Sequence, residues 1–376
     1  MMKKGLFLYG HDVLENVRFK NGIDRKVLSQ IKAFNNLGIE CKQICYPTEK
    51  KSWLYSLKVR LPFCNACPKW IYLPDFENID YLYFRRHAAV TMYELRILDL
   101  IKKRNPCVKI ILEIPTFPYD KELAYKYKNY PLLWKDRYNR KFLHQYIDRV
   151  VTVSDDDFIF NIPTIKIVNG VDVKSITPIQ PQSQQNDTIH IIGVAMLTVW
   201  HGYDRLIKGL GEYYKKGGNR NIIFHIVGEG EAVLITSYKK IIDEYNIHSH
   251  IIFHGYQTGE ELDCIYNLCK IAVISLGTHR KNIHKLSTLK SREYLSKGLP
   301  VFASGMTDVF EKNDFKYNLE IPSDETFVAM ENVIDFYDHI YNTTRQEKVI
   351  SEIRAFALNT IDIHLSMAPV VNFLKE

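Results

Sequence analysis

Ser287-Thr288-Leu289-Lys290-Ser291-Arg292-Glu293-Tyr294-Leu295-Ser296-Lys297-Gly298-Leu299-Pro300-Val301 reads as one helix and the start of the strand after it. Ser287 or Thr288 supplies an N-cap, Gly298 ends the last turn, and Pro300 forbids continuation. The run Val301-Phe302-Ala303 beyond it suits a buried strand, and Ile271-Ala272-Val273-Ile274 upstream suits another. Strand, helix and strand in that order form a parallel βαβ unit. The loop between Ile274 and Ser287 holds His279, Arg280, Lys281, His284 and Lys285, and it leads into the capped helix start. Free N–H groups and the helix dipole at such a start attract anions, so the loop is expected to form an anion site with Glu293 nearby. A diphosphate attached to a hydroxyl-rich ribose fits that pairing.

The same alternation extends in both directions. Before residue 170, strands are expected at Gly5–Tyr9, Ile39–Tyr46, Tyr81–Arg85, Val108–Ile114, Asp148–Val153 and Thr164–Val168. Helices are expected at Asp24–Leu37 and from about Thr91 to Lys103. A second series begins with a strand at Ile189–Val194, a helix at Tyr203–Tyr214, a strand at Ile222–Val227 and a helix at Ala232–Tyr245. Ile251–His254 and the helix Glu260–Leu268 precede the opening stretch. The fold class is therefore α/β, with two Rossmann-like doubly wound domains facing a central cleft. At 376 residues the chain is long enough for two cores. The domains are placed at 1–170, for an acceptor, and 171–350, for a nucleotide-sugar. Residues 351–376 are expected to form a C-terminal helix packing back on the first domain.

Charge divides along the same line. Residues 1–150 hold 28 Lys+Arg against 15 Asp+Glu, or +13, and the rest hold 22 against 28, or −6. A basic first half predicts an anionic partner. Between Lys50 and Lys69 the cations mix with Trp53, Tyr55, Leu57 and Phe63, a mixture suited to an anionic membrane surface. Seven cysteines, an odd number, predict a reducing compartment, and no run is long enough to span a bilayer. The expected location is cytoplasmic, peripheral on the inner face of the plasma membrane. Cys64 and Cys67 have no second pair at zinc spacing, so no metal is expected. No nucleic-acid motif, Walker loop or catalytic triad is present, and nucleic acid is excluded as a partner.

Other candidates sit where strands end. In the first domain these are His11, the Asn21-Gly22 turn with Arg25, Arg85 with His87, and Glu113 at the end of its strand. The first three suit an acceptor site, and Glu113 suits a group that holds an acceptor hydroxyl or takes its proton. In the second domain they are His201-Gly202 with Arg205, Gly228 and Gly230, and Gly255-Tyr256. Each also has a plain reading as a tight turn or a satisfied ion pair.

Val153-Ser154, then Ile165-Lys166-Ile167-Val168-Asn169-Gly170-Val171-Asp172, resembles the inter-domain signature of the retaining family-4 glycosyltransferases of GT-B fold. Gly193–Gly202, His225–Gly230, Phe253–Tyr256 and Leu289–Val301 follow in that family's order. The resemblance implies a hydroxyl-directed sugar transfer from a nucleoside diphosphate sugar, UDP-sugar rather than GDP-sugar, with no cofactor. It implies a glycan or lipid-linked glycan acceptor in bacterial surface-polysaccharide synthesis. Carried over by position, Glu293 is the second glutamate of E-x7-E and holds the donor ribose. The backbone at Ser287, Thr288 and Leu289 cradles the diphosphate, with Lys290 beside it. Two positions depart from the pattern: Lys285 stands at the first glutamate, and His201 at the lysine of a Lys-Gly pair. Those departures keep two alternatives in view, a GT-B nucleotide-sugar epimerase and a lapsed transferase acting as a binding subunit.

Overall fold

The computed structural model describes residues 2–10, 12–13, 22–45, 53, 61, 76–86, 89–124, 127–181, 187–281, 285–311, 313 and 315–376. They divide into two compact units, 1–170 with 363–376, and 171–362.

Unit 1 is built from β1 (Lys4–Tyr9), α1 (Gly22–Asn36), β2 (Glu40–Cys45), β3 (Tyr81–Arg85), α2 (Met92–Arg104) and β4 (Lys109–Ile114). There follow α3 (Asp120–Leu123), α4 (Tyr130–Asn139), β5 (Arg149–Thr152), β6 (Phe158–Ile159) and β7 (Ile162–Lys166). Its sheet runs β2-β1-β3-β4-β5-β7-β6, parallel except where β6 meets β7. The strands are apolar on both sides because both faces are covered. Leu82, Phe84, Ile110, Leu112 and Val150 pack against α2 through Leu95 and Leu98. Phe7, Tyr81, Tyr83, Ile111 and Val151 face Val27, Ile31 and Phe34 of α1. The order 2-1-3-4-5 places the reversal of connection between β1 and β3, where Tyr9 and Arg85 end their strands.

Unit 2 contains β8 (Ile189–Val194), α5 (Tyr203–Lys215), β9 (Ile222–Val227), α6 (Ala232–Tyr245), β10 (Ile251–Gly255), α7 (Gly259–Leu268) and β11 (Ile271–Val273). It continues with β12 (Lys285–Leu286), α8 (Leu289–Lys297), β13 (Val301–Ser304), β14 (Met306–Thr307) and β15 (Asn318–Ile321). Helices α9 (Met330–Thr343) and α10 (Gln346–Thr360) close it. The sheet order β10-β9-β8-β11-β13-β15, all parallel, is 3-2-1-4-5-6 in local numbering. Its reversal point lies between β8 and β11, and ligands of such sheets bind beyond the carboxyl ends there. The core forms where Ile189, Ile191, Phe224 and Ile226 meet Leu206 and Leu210 of α5 and Tyr238 and Ile242 of α6.

The chain end differs from the expected single helix over 351–376. It is two helices, α10 and α11 (Ile363–Lys375), broken at Ile361–Asp362. The break is stabilised by Val171, whose N–H donates to the carbonyl of Ile361 at 3.0 Å and which bridges to Asp362. Only α11 belongs to unit 1, where Met367, Val370, Val371 and Leu374 are buried with Phe34 and Val27 of α1. Among the described residues no helix is long and apolar enough to cross a membrane.

Candidate functional site

Helix α8 starts where the sequence places it. The Thr288 hydroxyl accepts from the Ser291 N–H at 3.4 Å. Gly298, at φ +83°, ends the helix, and the Leu299 N–H reaches back to the Tyr294 carbonyl at 3.0 Å. Tyr294 fastens this helix to the carboxyl end of β8, accepting from the Val194 N–H at 2.7 Å. Arg292 is buried and grips Asp308 through Nη2 at 2.6 Å to both oxygens. The helix start is thus fixed beside the reversal point of the sheet.

Lys290 lies in its first turn. The Nζ is buried with no hydrogen-bond partner, 5.8 Å from the centroid of the Tyr203 ring. Burial pushes its pKa well below that of an ordinary lysine. His201 ends a short turn after β8, and its Nδ1 accepts from the Thr198 N–H at 3.1 Å. Burial, with the charges of Lys290 and Lys281, lowers its pKa to about 2, so the ring is neutral. With Nδ1 accepting, the proton of the neutral ring sits on Nε2, as a hydrogen-bond donor. Glu293 is half-buried on the same helix, and its negative charge adds to burial in raising the Tyr266 and Tyr294 hydroxyls.

The glycines have a different explanation from ligand approach. A Cβ on Gly228 would stand 1.8 Å from the Ala195 carbonyl oxygen, and one on Gly230 would stand 2.7 Å from the Leu197 carbonyl oxygen. The loops after β8 and β9 lie backbone on backbone, joined by Leu197 N–H to Glu229 carbonyl at 2.6 Å. Gly202, at φ +64°, would place a Cβ 2.4 Å from the Gly277 nitrogen, so it seats the loop after β11. Gly255, at φ +66°, has open space around it and precedes the exposed Tyr256.

Three expected cations of unit 2 are committed elsewhere. Arg205 is buried, donating to the Thr326 carbonyl at 2.6 Å, the Pro322 carbonyl at 2.9 Å and the Leu276 carbonyl. It fixes the loop after β15 and does not face a ligand. Arg280 is bidentate to Asp204 at 2.9 and 2.8 Å and also binds Glu325. His279 binds Glu325 at 2.6 Å. Two cations of the basic loop are therefore neutralised internally, which sequence could not reveal because the acids lie on other loops.

In unit 1, Glu113 is buried and surrounded by donors. Lys26 Nζ is 3.3 Å away, Arg85 Nη1 3.2 Å, Gln30 Nε2 3.1 Å and the Tyr83 hydroxyl 2.9 Å. Burial raises its pKa, but Arg85, Lys26 and the two hydrogen bonds outweigh that and hold it at about 2. A carboxylate held this firmly in its charged form and shielded from water matches the plain reading of the position, a satisfied buried ion pair. It aligns Arg85, which keeps some exposure at the strand end. Gly22 opens α1, and Arg25 is exposed in its first turn. His11, Asn21 and His87 lie outside the described residues, as do Cys64, Cys67, the Lys285 side chain and nearly all of 50–69.

A second feature went unread in the sequence. His190, His225 and His254, on β8, β9 and β10, form a ladder with Nδ1···Nε2 distances of 2.9 Å at both steps.

Residues 176–327 match the family model described as glycosyl transferases group 1. That match lies within unit 2 and includes every unit 2 residue just described. No curated protein sequence matches the chain. Among solved structures, a glycosyltransferase from Rickettsia africae is similar at TM-score 0.63 and 14% identity, covering 100% of this chain and 98% of its own. Anabaena HepE in complex with UDP and glucose is similar at TM-score 0.62 and 12% identity, with 99% of each chain covered. Sucrose-phosphate synthase from Thermosynechococcus elongatus gives 0.61 and 13%, again with 99% of each chain covered. The likeness establishes the fold: two Rossmann-like units of the GT-B glycosyltransferase type.

Proposed function

We propose that the chain is a retaining glycosyltransferase that moves a sugar from a nucleoside diphosphate sugar, UDP-sugar rather than GDP-sugar, to a hydroxyl acceptor. The observation that carries this reading is the α8 start, where the buried Lys290 Nζ has no hydrogen-bond partner. A cation kept out of water without an anion is costly, and a diphosphate would remove the cost. The N–H groups of Leu289 and Lys290, which open the helix, and the His201 Nε2 proton add donors to the same place. As the glycosidic bond breaks, charge grows on the leaving diphosphate. Donors already fixed in position stabilise that growing charge more than the ground state. Glu293 is assigned to the donor ribose, and exposed Tyr256 to the base, where its ring offers a stacking face. The group 1 match over 176–327 supports the class, and the UDP held by HepE supports UDP as the nucleotide.

The acceptor is proposed to be a glycan or lipid-linked glycan of polysaccharide synthesis, with the enzyme attached to the inner face of the plasma membrane. The +13 charge of residues 1–150 supports that half of the reading. The test is a turnover assay with a panel of UDP-sugars and lipid-linked acceptors. Glu293→Ala should lower donor turnover at least tenfold, as expected for one charged hydrogen bond of about 1.5–3 kcal/mol. Unchanged turnover would sink the site, and free epimerised nucleotide-sugar would favour an epimerase.

A further inference from the structure

Helix α4 is turned inside out. Its buried side is mostly polar: Asp136 accepts from the Val90 N–H at 2.8 Å and the Tyr119 hydroxyl at 2.9 Å. Asn139 donates to the Val90 carbonyl at 3.1 Å, and Lys135 is also buried. Its outer side carries Tyr130, 46% exposed, Trp134, 70%, and Tyr138, 60%, at four-residue spacing on one face. Tyr127, 90% exposed, stacks on Tyr130 with ring centroids 6.1 Å apart. A helix in water normally places such rings inside and its Asp and Asn outside. Among the described residues the ring ridge stays exposed, while Asp136 and Asn139 on the polar side are held by tertiary hydrogen bonds to Val90 and Tyr119, so the helix is seated with its rings outward.

We propose that this ridge, Tyr127, Tyr130, Trp134 and Tyr138, is the surface by which unit 1 sits in the headgroup layer of an anionic membrane. Tyr and Trp are the aromatic types that favour that layer, with an apolar body and a polar tip. Arg137 lies among them on the same helix face, half-exposed, with Asp120 as its ion-pair partner at 2.7 Å. Residues 120–145 hold seven Lys+Arg against three Asp+Glu, a net +4 that complements anionic lipid. The same charge opposes a second copy as occupant, since a two-fold contact would set like charges face to face. The proposal rests on the membrane half of the reading above and not on the donor half. It also differs in place from the 50–69 stretch that sequence singled out.

The full chain is sedimented with vesicles of phosphatidylcholine alone and with about 30% phosphatidylglycerol added. It should pellet with the anionic vesicles, and Tyr130→Ser/Trp134→Ser/Tyr138→Ser together should weaken that binding at least tenfold. Brominated phosphatidylcholine should quench tryptophan emission in the wild type, and Trp134→Phe, which preserves packing, should lose most of that quenching. A wild type that stays in solution overturns both the ridge and the membrane reading. Pelleting and quenching that survive these substitutions overturn the ridge alone and leave the membrane reading standing. A lipid-free dimer that the triple variant converts to monomer would assign the ridge to a second copy and overturn the proposal.

Discussion

At Glu113 four donors converge on one carboxylate that water barely reaches, and this convergence decides what the residue can do. Its folded pKa of about 2 lies below the ordinary 4.5, so the folded state favours the charged form. The resulting stability is complete above about pH 4.5 and is lost as pH falls through about 2. Glu113→Gln should cost about 3–5 kcal/mol, because it leaves the buried Lys26 and the mostly covered Arg85 beside a neutral amide. Unfolding free energies from denaturant titration should differ by that amount at pH 7 and converge in acid; a difference unchanged at low pH would reject the assignment. Lys290 is the opposite case, a buried amine without a hydrogen-bond partner. Its weakly held proton should be retained more firmly when a diphosphate arrives, so UDP binding should take up protons and weaken as pH rises. Lys290→Met should lose that proton uptake and tenfold or more in affinity, on the scale of a charge-assisted hydrogen bond worth about 1.5–3 kcal/mol. Calorimetric titration in two buffers of different ionisation heat reads both quantities, and UDP binding without any proton uptake would count against a buried amine.

The histidine ladder shows what a sheet adds beyond its residues. A neutral imidazole has one N–H, so three rings in series keep two hydrogen bonds only if all three share one tautomer. An extra proton on His225, or on the end ring that accepts, turns an acceptor into a donor and breaks a step. Burial, aided by its two histidine neighbours, lowers the His225 pKa to about 4, while burial and Lys270 lower that of His190 and burial that of His254. These folded values lie below the ordinary 6.5, so the unfolded chain binds the protons first. The stability the ladder gives is complete above about pH 6.5 and falls as pH drops towards about 4. His225→Gln, which keeps hydrogen bonding without titrating, should flatten that fall, as followed by urea midpoints from pH 7 to 4; an equal fall in the variant would remove the ladder as its cause. Elements of this kind mark the limit of sequence reading. Tyr81–Arg85, Ile189–Val194, Ile222–Val227 and Ala232–Tyr245 were legible to the residue, because apolar runs ended at turn-forming neighbours. Helix α4 was not, because Asp136 and Asn139 point in and Trp134 points out, against the period that reveals a helix. In the site, a cap at Ser287 or Thr288 was legible from local chemistry, and Lys290 followed only from the family resemblance. The commitments of Arg205 to Leu276 and Thr326, and of Arg280 to Glu325, depend on chain returns that local spacing does not encode.

Over the whole chain, two parallel sheets repeat one plan with different orders. Unit 1 reverses between β1 and β3, and unit 2 between β8 and β11. At the first edge the strongest charge, Glu113, is matched by Lys26 and Arg85. At the second the buried Lys290 is left without a hydrogen-bonded anion. This difference predicts where a nucleoside diphosphate acts first. Binding to the native state stabilises it by about 2.7 kcal/mol when the ligand is about 100-fold above its Kd. Amide exchange reports which segments share that gain. With UDP added, peptides covering 194–202 and 287–294 should exchange more slowly, since they carry Thr198, His201, the free amides of α8 and Lys290. Peptides from β4, residues 109–114, should be unchanged, because Glu113 and its partners already satisfy one another. Protection centred on β4, or none at 287–294 under conditions where UDP raises the melting temperature, would move the diphosphate out of unit 2 and overturn the donor assignment.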